Sequence, residues 1–357
     1  MTRTLSRSAL VERVRATSAA ASTPVRLARW AALVVIVVIA IIVPQLYGGN
    51  EYILSLATEC IVYALITISL NLLVGYGGQI SLGHAGLVAI GGYAGAYILE
   101  KVPSLPFPAE LAFAALVTTL AGVILGLPTG RLRGHYLAVV TLGLGVAIPQ
   151  IALNLTSITN GRTGLIVNPP SIGSLSLASP VAVYYLSFVV TALSIIAIAS
   201  FLRTRSGRAF TAVRDSEQAA AAMGINVQRT KVVLFAVSAF FAGVGGDLFG
   251  HWANLVAPGA FPFTLSLFFL AAVIVGGSAS LTGSVIGAVL LVLADTQTTG
   301  LPGFEPVVVG AVVIAVLLLV PGGLVAVPRA VAALKRGDRD DPRPTGGATA
   351  RHPKQEG

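Results

Sequence analysis

Apolar runs broken by Gly, Pro and polar clusters recur along the whole chain, and this recurrence constrains the fold more than any other feature. Crossing ~30 Å of hydrocarbon takes about 20 helical residues, whereas a porin-type strand takes about 10 with strict alternation. The runs fall at residues 30–46, 52–73, 79–99, 109–129, 136–154, 181–202, 232–250, 263–276, 284–298 and 305–327, and they do not alternate. With only 10% charged residues and a mean hydropathy of +0.87, they predict an all-α, polytopic membrane helix bundle of about ten spans. The first run follows a basic stretch, but Pro44, Gln45 and Tyr47 stand where a secretory signal needs a small-residue cleavage site, so it reads as a retained span.

The basic residues orient the bundle. Lys and Arg are retained on the cytoplasmic side of a membrane. Threading ten spans from an inside N-terminus gathers the basic tail before residue 30, Arg131 and Arg133, the loop 203–231 and the end of the chain from Arg329 onward on that side, leaving Lys101 and Arg162 outside. Both termini are therefore expected in the cytoplasm. The expected organisation is a basic N-terminal tail (1–29), a membrane domain (30–328) containing the long inside loop 203–231, and a disordered tail (329–357). The net charge of +9 is explained by this topology and by contact with membrane lipid, with no need for nucleic acid.

Several chemistries are missing. No Gly-Lys dipeptide occurs, so no phosphate-cradling loop is present and the chain is not expected to hydrolyse ATP. A proton- or sodium-coupled carrier buries carboxylates. Among Glu59, Glu100, Glu110, Asp247 and Asp295, with Glu305 at the start of the last span, only Glu59 and Asp247 are candidates for depth, and both are expected to snorkel to the outer interface. His84, His135, His251 and His352 show no metal-ligand spacing, so neither a metal site nor a cofactor is predicted. Cys60, the one cysteine, reads as a packing residue.

The inside loop from Ser206 to Lys231, SGRAFTAVRDSEQAAAAMGINVQRTK, is the most informative segment. Asp215 or Ser216 can cap a short helix from Glu217 to Met223, and Gly224 supplies a left-handed stop. Four consecutive alanines give it no large apolar face for lipid, but do allow close approach by another protein. This segment resembles the cytoplasmic-loop signature of the ATP-binding-cassette importer permeases for branched-chain amino acids, at Gly207, Arg208, Arg214, Asp215, Glu217, Ala219, Ala220, Gly224, Ile225, Asn226, Lys231, Phe235, Ser238 and Ala239. LNLLVGYGGQISLGHAGLVAIGGYAGA (70–96), RLRGHYLAVVTLGLGVAI (131–148), NGRTGL (160–165) and VIVGGSASLTGSVIGA (273–288) resemble segments of the same family, in the same order. The similarity favours the M-type member of that family's two-permease pair.

The resemblance implies a membrane-spanning subunit that translocates solute inward by alternating access, in the plasma membrane. The implied partners are cytoplasmic ATP-binding subunits, a second homologous permease and an extracytoplasmic solute-binding protein. It assigns docking on the ATPase to Arg208, Arg214, Asp215, Glu217, Gln218, Ala219, Ala220, Gly224 and Asn226. The chain departs from the pattern at Gln218, where the general importer motif has Glu, at Val146, where many relatives carry Glu, and at Glu59 and Asp247, where small or apolar residues are expected. The solute is left open between branched-chain amino acids, urea or short amides, and sugars. A passive channel and a self-sufficient secondary carrier are the rival classes.

The stretch Gly75–Ala96 divides in two. Gly91, Gly92, Gly95 and Ala96 are expected to hold helices close, because helices in lipid associate through small residues. Gly75–Gly83 is too rich in glycine to stay helical, and unwound backbone at membrane depth must be buried in protein or line a path. Asn71, Gly77, Gln79, Ser81, His84, Thr141, Gln150, Asn154, Gly277 and Ser280 are the candidates for gate or pathway. Interhelical hydrogen bonding is the alternative for Gln79, Ser81 and His84. Gly78-x-x-Ser81-Leu82 recurs as Gly277-x-x-Ser280-Leu281, a faint internal echo.

Overall fold

The structure is a computed structural model that describes residues 41–130, 135–172 and 175–298, with isolated positions between 310 and 324. The predicted span 305–327, most of 30–46, both tails, and Arg131 and Arg133 lie outside the described residues. Between 51 and 298 every predicted span is present as a helix. These are α1 (Glu51–Asn71), α2 (His84–Lys101), α3 (Phe107–Thr129), α4 (His135–Asn154), then a single turn α5 (Thr156–Thr159), and α6 (Pro180–Leu202). The inside loop forms α7 (Arg205–Asp215) and α8 (Glu217–Ala222), and α9 (Val227–Ala253), α10 (Phe263–Gly276) and α11 (Leu281–Thr298) complete the described part. Six segments, those containing α1, α3, α4, α6, α9 and α10, are long and apolar enough to cross a membrane, and α11 is a shorter apolar helix.

Polar residues set the helix starts. Asn50, Ser179 and Asn226 each accept a main-chain N–H from the first turn, from Ile53, Ala182 and Arg229 respectively, satisfying a donor that helix geometry leaves free. The helix α2 begins at His84, five residues later than its apolar run, because the chain between leaves helical geometry altogether. α1 ends in a π-helical turn, Leu72–Tyr76, and the backbone stays open through Gly83.

The core is built around α1 and α9. Every residue from Ala64 to Leu73 is buried, and α6, α9, α10 and α11 all pack against α1. The longest helix, α9, packs most extensively on α3 and α2. That contact depends on missing side chains: a Cβ on Gly91 would run into the backbone of Gly243, and one on Gly243 into Thr118. This is the close-packing role expected of the second glycine group, and in lipid it takes the place of hydrophobic attraction between helices.

The bundle has two distinct ends. At one, the open segment 77–83, the loop 277–280 and α7–α8 gather. At the other, β1 (Leu165–Ile166) and β4 (Leu255–Val256) pair antiparallel, while β2 (Ser171–Ile172) and β3 (Leu175–Ser176) form a second two-residue ladder. The first ribbon ties the 155–180 segment to the turn that ends α9, where Asn254 is left-handed (φ 56°).

Candidate functional site

The two glycine-rich breaks meet, and one residue joins them. Asn71, the last residue of α1, is fully buried. Its Nδ2 donates to Ser280 O at 3.0 Å and to Ser284 Oγ at 2.7 Å, and its Oδ1 accepts Ala279 N at 3.0 Å. Gly75 permits the approach, for a Cβ there would overlap both Asn71 Oδ1 and Ala279 N. Both glycines of the echoed motif take the left-handed region, Gly78 at φ 63° and Gly277 at φ 109°, where a side chain would be strained. The echo is thus conformational as well as sequential.

The α7–α8 segment is clamped onto this junction. Arg214 Nη1 donates to Gly75 O at 3.0 Å, while Nε and Nη2 hold Asp215 Oδ1 at 3.0 and 2.9 Å. The carbonyl it takes belongs to the π-helical turn, where the normal intrahelical pairing is interrupted. The arginine side chain lies over Gly78, whose missing Cβ leaves it room. A second tie is electrostatic: Lys231 Nζ sits 2.6 Å from Glu217 Oε1, with the lysine side chain 4% exposed and the glutamate 30%.

The short helix forms as its sequence dictates. Ser216 Oγ accepts Ala219 N at 3.2 Å, and Gly224 turns left-handed at φ 81°. Only Ala220 is buried, so Gln218, Ala219, Ala221, Ala222 and Met223 form an open face, with Met223 83% exposed. Asn226 caps α9, and Arg208 Nη1 reaches back to Arg203 O at 2.9 Å. The helix α7 was not foreseen, because its periodic face (Gly207, Phe210, Val213) is short and surrounded by arginine.

The predicted gate residues separate into three groups. Asn71, Gly77, Gln79, Ser81, Gly277 and Ser280 lie together at the breaks; Gln79 N bonds to Leu73 O, and Gln79 and Ser81 are buried. His84 and Thr141 hydrogen-bond to neighbouring segments. The fully buried His84 Nε2 is 2.7 Å from Ser69 Oγ, a hydroxyl that already donates to Ile66 O, so the imidazole donates from Nε2. Thr141 Oγ1 accepts Leu82 N at 3.0 Å. Gln150 and Asn154 are exposed on α4, where they continue an open stripe through Tyr136, Val139, Gly143 and Val146 away from the breaks.

Asp247 corrects the sequence reading. It does not snorkel: it is 2% exposed, and its ligating oxygen lies within 4.8 Å of those of Glu110 and His251. The histidines are scattered along the chain, yet Asp247 and His251 are four residues apart on α9, one helical turn, and therefore share a face. That spacing was the available signal; what sequence could not supply is Glu110, brought from α3 by packing.

With this geometry in hand, comparison with known proteins is decisive. The sequence profile of the family described as "Branched-chain amino acid transport system / permease component" matches residues 52–321. The chain belongs to this permease family. It is 32% identical over 329 residues, 85% of this chain and 77% of the relative, to the high-affinity branched-chain amino acid transport system permease protein LivM of Salmonella typhimurium. Identity to the LivM of Escherichia coli is 31% over the same lengths. The LivH permease protein of Salmonella typhimurium is more distant, at 25% over 286 residues, 74% of this chain and 92% of the relative. No solved structure matches the chain. Both the M-type resemblance and the membrane-bundle class therefore hold for this permease, a multi-pass membrane protein by family and by the six helices among the described residues that are long and apolar enough to cross a membrane.

Proposed function

We propose that this permease is the membrane-spanning subunit of an importer for branched-chain amino acids, located in the plasma (inner) membrane, driven by ATP-hydrolysing partner subunits and working by alternating access. The observation that carries the reading is the clamp of Arg214 on Gly75 O. It makes one continuous chain of contacts from the exposed α8 face, through the π-helical turn and Asn71, to the second glycine break. ATP-driven movement of α7–α8 would be delivered directly to the backbone that opens. Docking on the ATPase falls to Arg208, Asp215, Glu217, Gln218, Ala219, Ala220, Gly224 and Asn226 around Arg214, and the gate to the residues at the two breaks. The full chain is read as ten spans with cytoplasmic termini. A second homologous permease covers the open stripe of α4, and a solute-binding protein delivers to the ribbon end.

The test is reconstitution in liposomes with the second permease, the ATPase subunits and the binding protein. Uptake should require all of them, and Arg214→Ala should lower it at least about tenfold, the equivalent of one charge-assisted hydrogen bond of ~1.5 kcal/mol. Uptake by this chain alone under an ion gradient, or undiminished uptake by Arg214→Ala, would overturn the reading. A second solute class has one support: 30% identity over 201 residues, about half of each chain, to the autoinducer 2 import system permease protein LsrC of an Enterobacter species. Identifying the ligand carried by the cognate binding protein separates the two.

A further inference from the structure

At the ribbon end, far from the clamp, two helices bring three ligating side chains to one buried point. Glu110 comes from the first turn of α3, and Asp247 and His251 from the last two turns of α9. They are 0%, 2% and 3% exposed. Room is made for them on α2, where a Cβ at Gly95 would overlap the Asp247 carboxylate. Phe107 packs against the His251 ring, their centroids 5.5 Å apart, and the Asn168 backbone faces that ring from the 155–180 segment.

Protein partners account for these groups only in part: the Glu110 and Asp247 carboxylates approach each other, and the Asn168 backbone approaches the His251 ring. His251 Nε2 lies 3.0 Å from Glu110 Oε1, yet neither atom makes a properly directed hydrogen bond, and Glu110 Oε2 and Asp247 Oδ2 have no hydrogen-bond partner among the described residues. No described Lys or Arg pairs with either carboxylate. Buried polar atoms are normally satisfied, and two adjacent buried carboxylates need a cation or a proton between them.

We propose that Glu110, Asp247 and His251 bind a divalent transition-metal ion of the zinc class. One imidazole nitrogen with two carboxylates suits borderline Zn²⁺ best, with the harder Mn²⁺ second through its carboxylate ligands, and both better than Ca²⁺ or Mg²⁺, which take all-oxygen sites. A divalent ion also balances two carboxylates beside a neutral imidazole. Zinc bonds of about 2.1 Å set tetrahedral donors about 3.4 Å apart. The donor atoms here lie within 4.8 Å of one another, so the widest pair closes by at most about 1.4 Å, within reach of side-chain rotation. The Nε2···Oε1 pair, 3.0 Å apart, would open by about 0.4 Å to admit the ion. The ion would pin α3 to α9 beneath the β1–β4 ribbon.

The full-length chain, purified in detergent without added chelator, should carry about one equivalent of zinc or manganese by mass spectrometry. After chelation, ZnCl₂ should rebind and raise the unfolding temperature. Asp247→Asn and His251→Gln should each weaken zinc binding at least about tenfold, since even outer partners of a ligand cost that much. Should both variants fail to fold, cobalt added to the chelated wild-type chain should give the visible absorption of a low-symmetry nitrogen–oxygen site. A wild-type chain that neither retains nor rebinds any of these ions would overturn the proposal and leave a shared proton as the counter-charge. Binding unchanged in both folded variants would overturn it equally.

Discussion

Replacing Asn71 by alanine tests whether the two glycine breaks are joined through one side chain. The substitution removes three hydrogen bonds from α1 to the loop 277–280 and the start of α11, but their loss is unequal. Ser280 O retains the Ser284 hydroxyl at 3.2 Å, and that hydroxyl can rotate fully onto it, whereas Ala279 N loses its carboxamide acceptor inside protein. Hydrogen bonds between membrane helices are worth about 0.6 kcal/mol on average, with a ceiling near ~1.7, and a stranded buried donor costs about 1–3 kcal/mol. The expected cost is therefore about 2–3 kcal/mol. Thermal unfolding of the purified chain should shift down by about 5 °C or more. Ser284→Ala alone should cost about 1 kcal/mol, and the Asn71→Ala/Ser284→Ala cycle should show a coupling of roughly 0.5–1.5 kcal/mol. An Asn71→Ala cost under about 0.5 kcal/mol, or a coupling indistinguishable from zero, would refute the bridge and the link between the breaks with it.

Glu217→Ala should destabilise the chain more than Lys231→Met, measured by unfolding temperature, because the buried member of a pair suffers from losing its partner while the exposed member rehydrates. Gly91→Ala should cost about 1–3 kcal/mol in the same assay, since its new methyl meets the Gly243 backbone, which cannot rotate aside; an unchanged unfolding temperature would mean that α2 and α9 are not packed at this distance. Amide exchange across the last two turns of α9 should be slower than across 75–83 and 277–280, and equal protection would contradict the difference in bonding between the two ends.

Helices were legible because a span must be apolar along its length, and that requirement leaves a signal about 20 residues long. The apolar run placed the start of α2 five residues early, because Ile80 and Leu82 look like apolar helix, although the glycine density of 75–83 marked the break itself. The α8 turn was readable from Ser216 and Gly224 alone, since capping is local. Arg214 was recognised through family resemblance, but its partner is a main-chain carbonyl 139 residues away, and nothing in a carbonyl's sequence position advertises it. His84 could be read from sequence either as a pathway residue or as an interhelical hydrogen-bonding residue, because a polar group in an apolar run invites both readings. Its actual partner, Ser69, is equally ordinary in sequence. The acid–histidine cluster was missed for a related reason: Asp247 and His251 carry helical spacing, but the third ligand arrives through tertiary packing.

The two ends of the bundle are bonded in ways that differ in the cost of rearrangement. At the glycine breaks the ties are hydrogen bonds to neutral main-chain or side-chain groups, each of which can be exchanged for water or for another carbonyl at about 1 kcal/mol. Even the charged tie, Arg214 to Gly75 O, is partly exposed, so its guanidinium can be hydrated as it lets go. At the ribbon end the equivalent contacts are buried carboxylates and an imidazole on α3 and α9, whose separation would leave uncompensated charge and cost several kcal/mol. A load applied through α7 and α8 is therefore relieved first at the breaks, where backbone is already unpaired from helix, and last beneath the β1–β4 ribbon. Under the proposed coupling, that asymmetry would let the permease open one end without loosening the helices that hold the other.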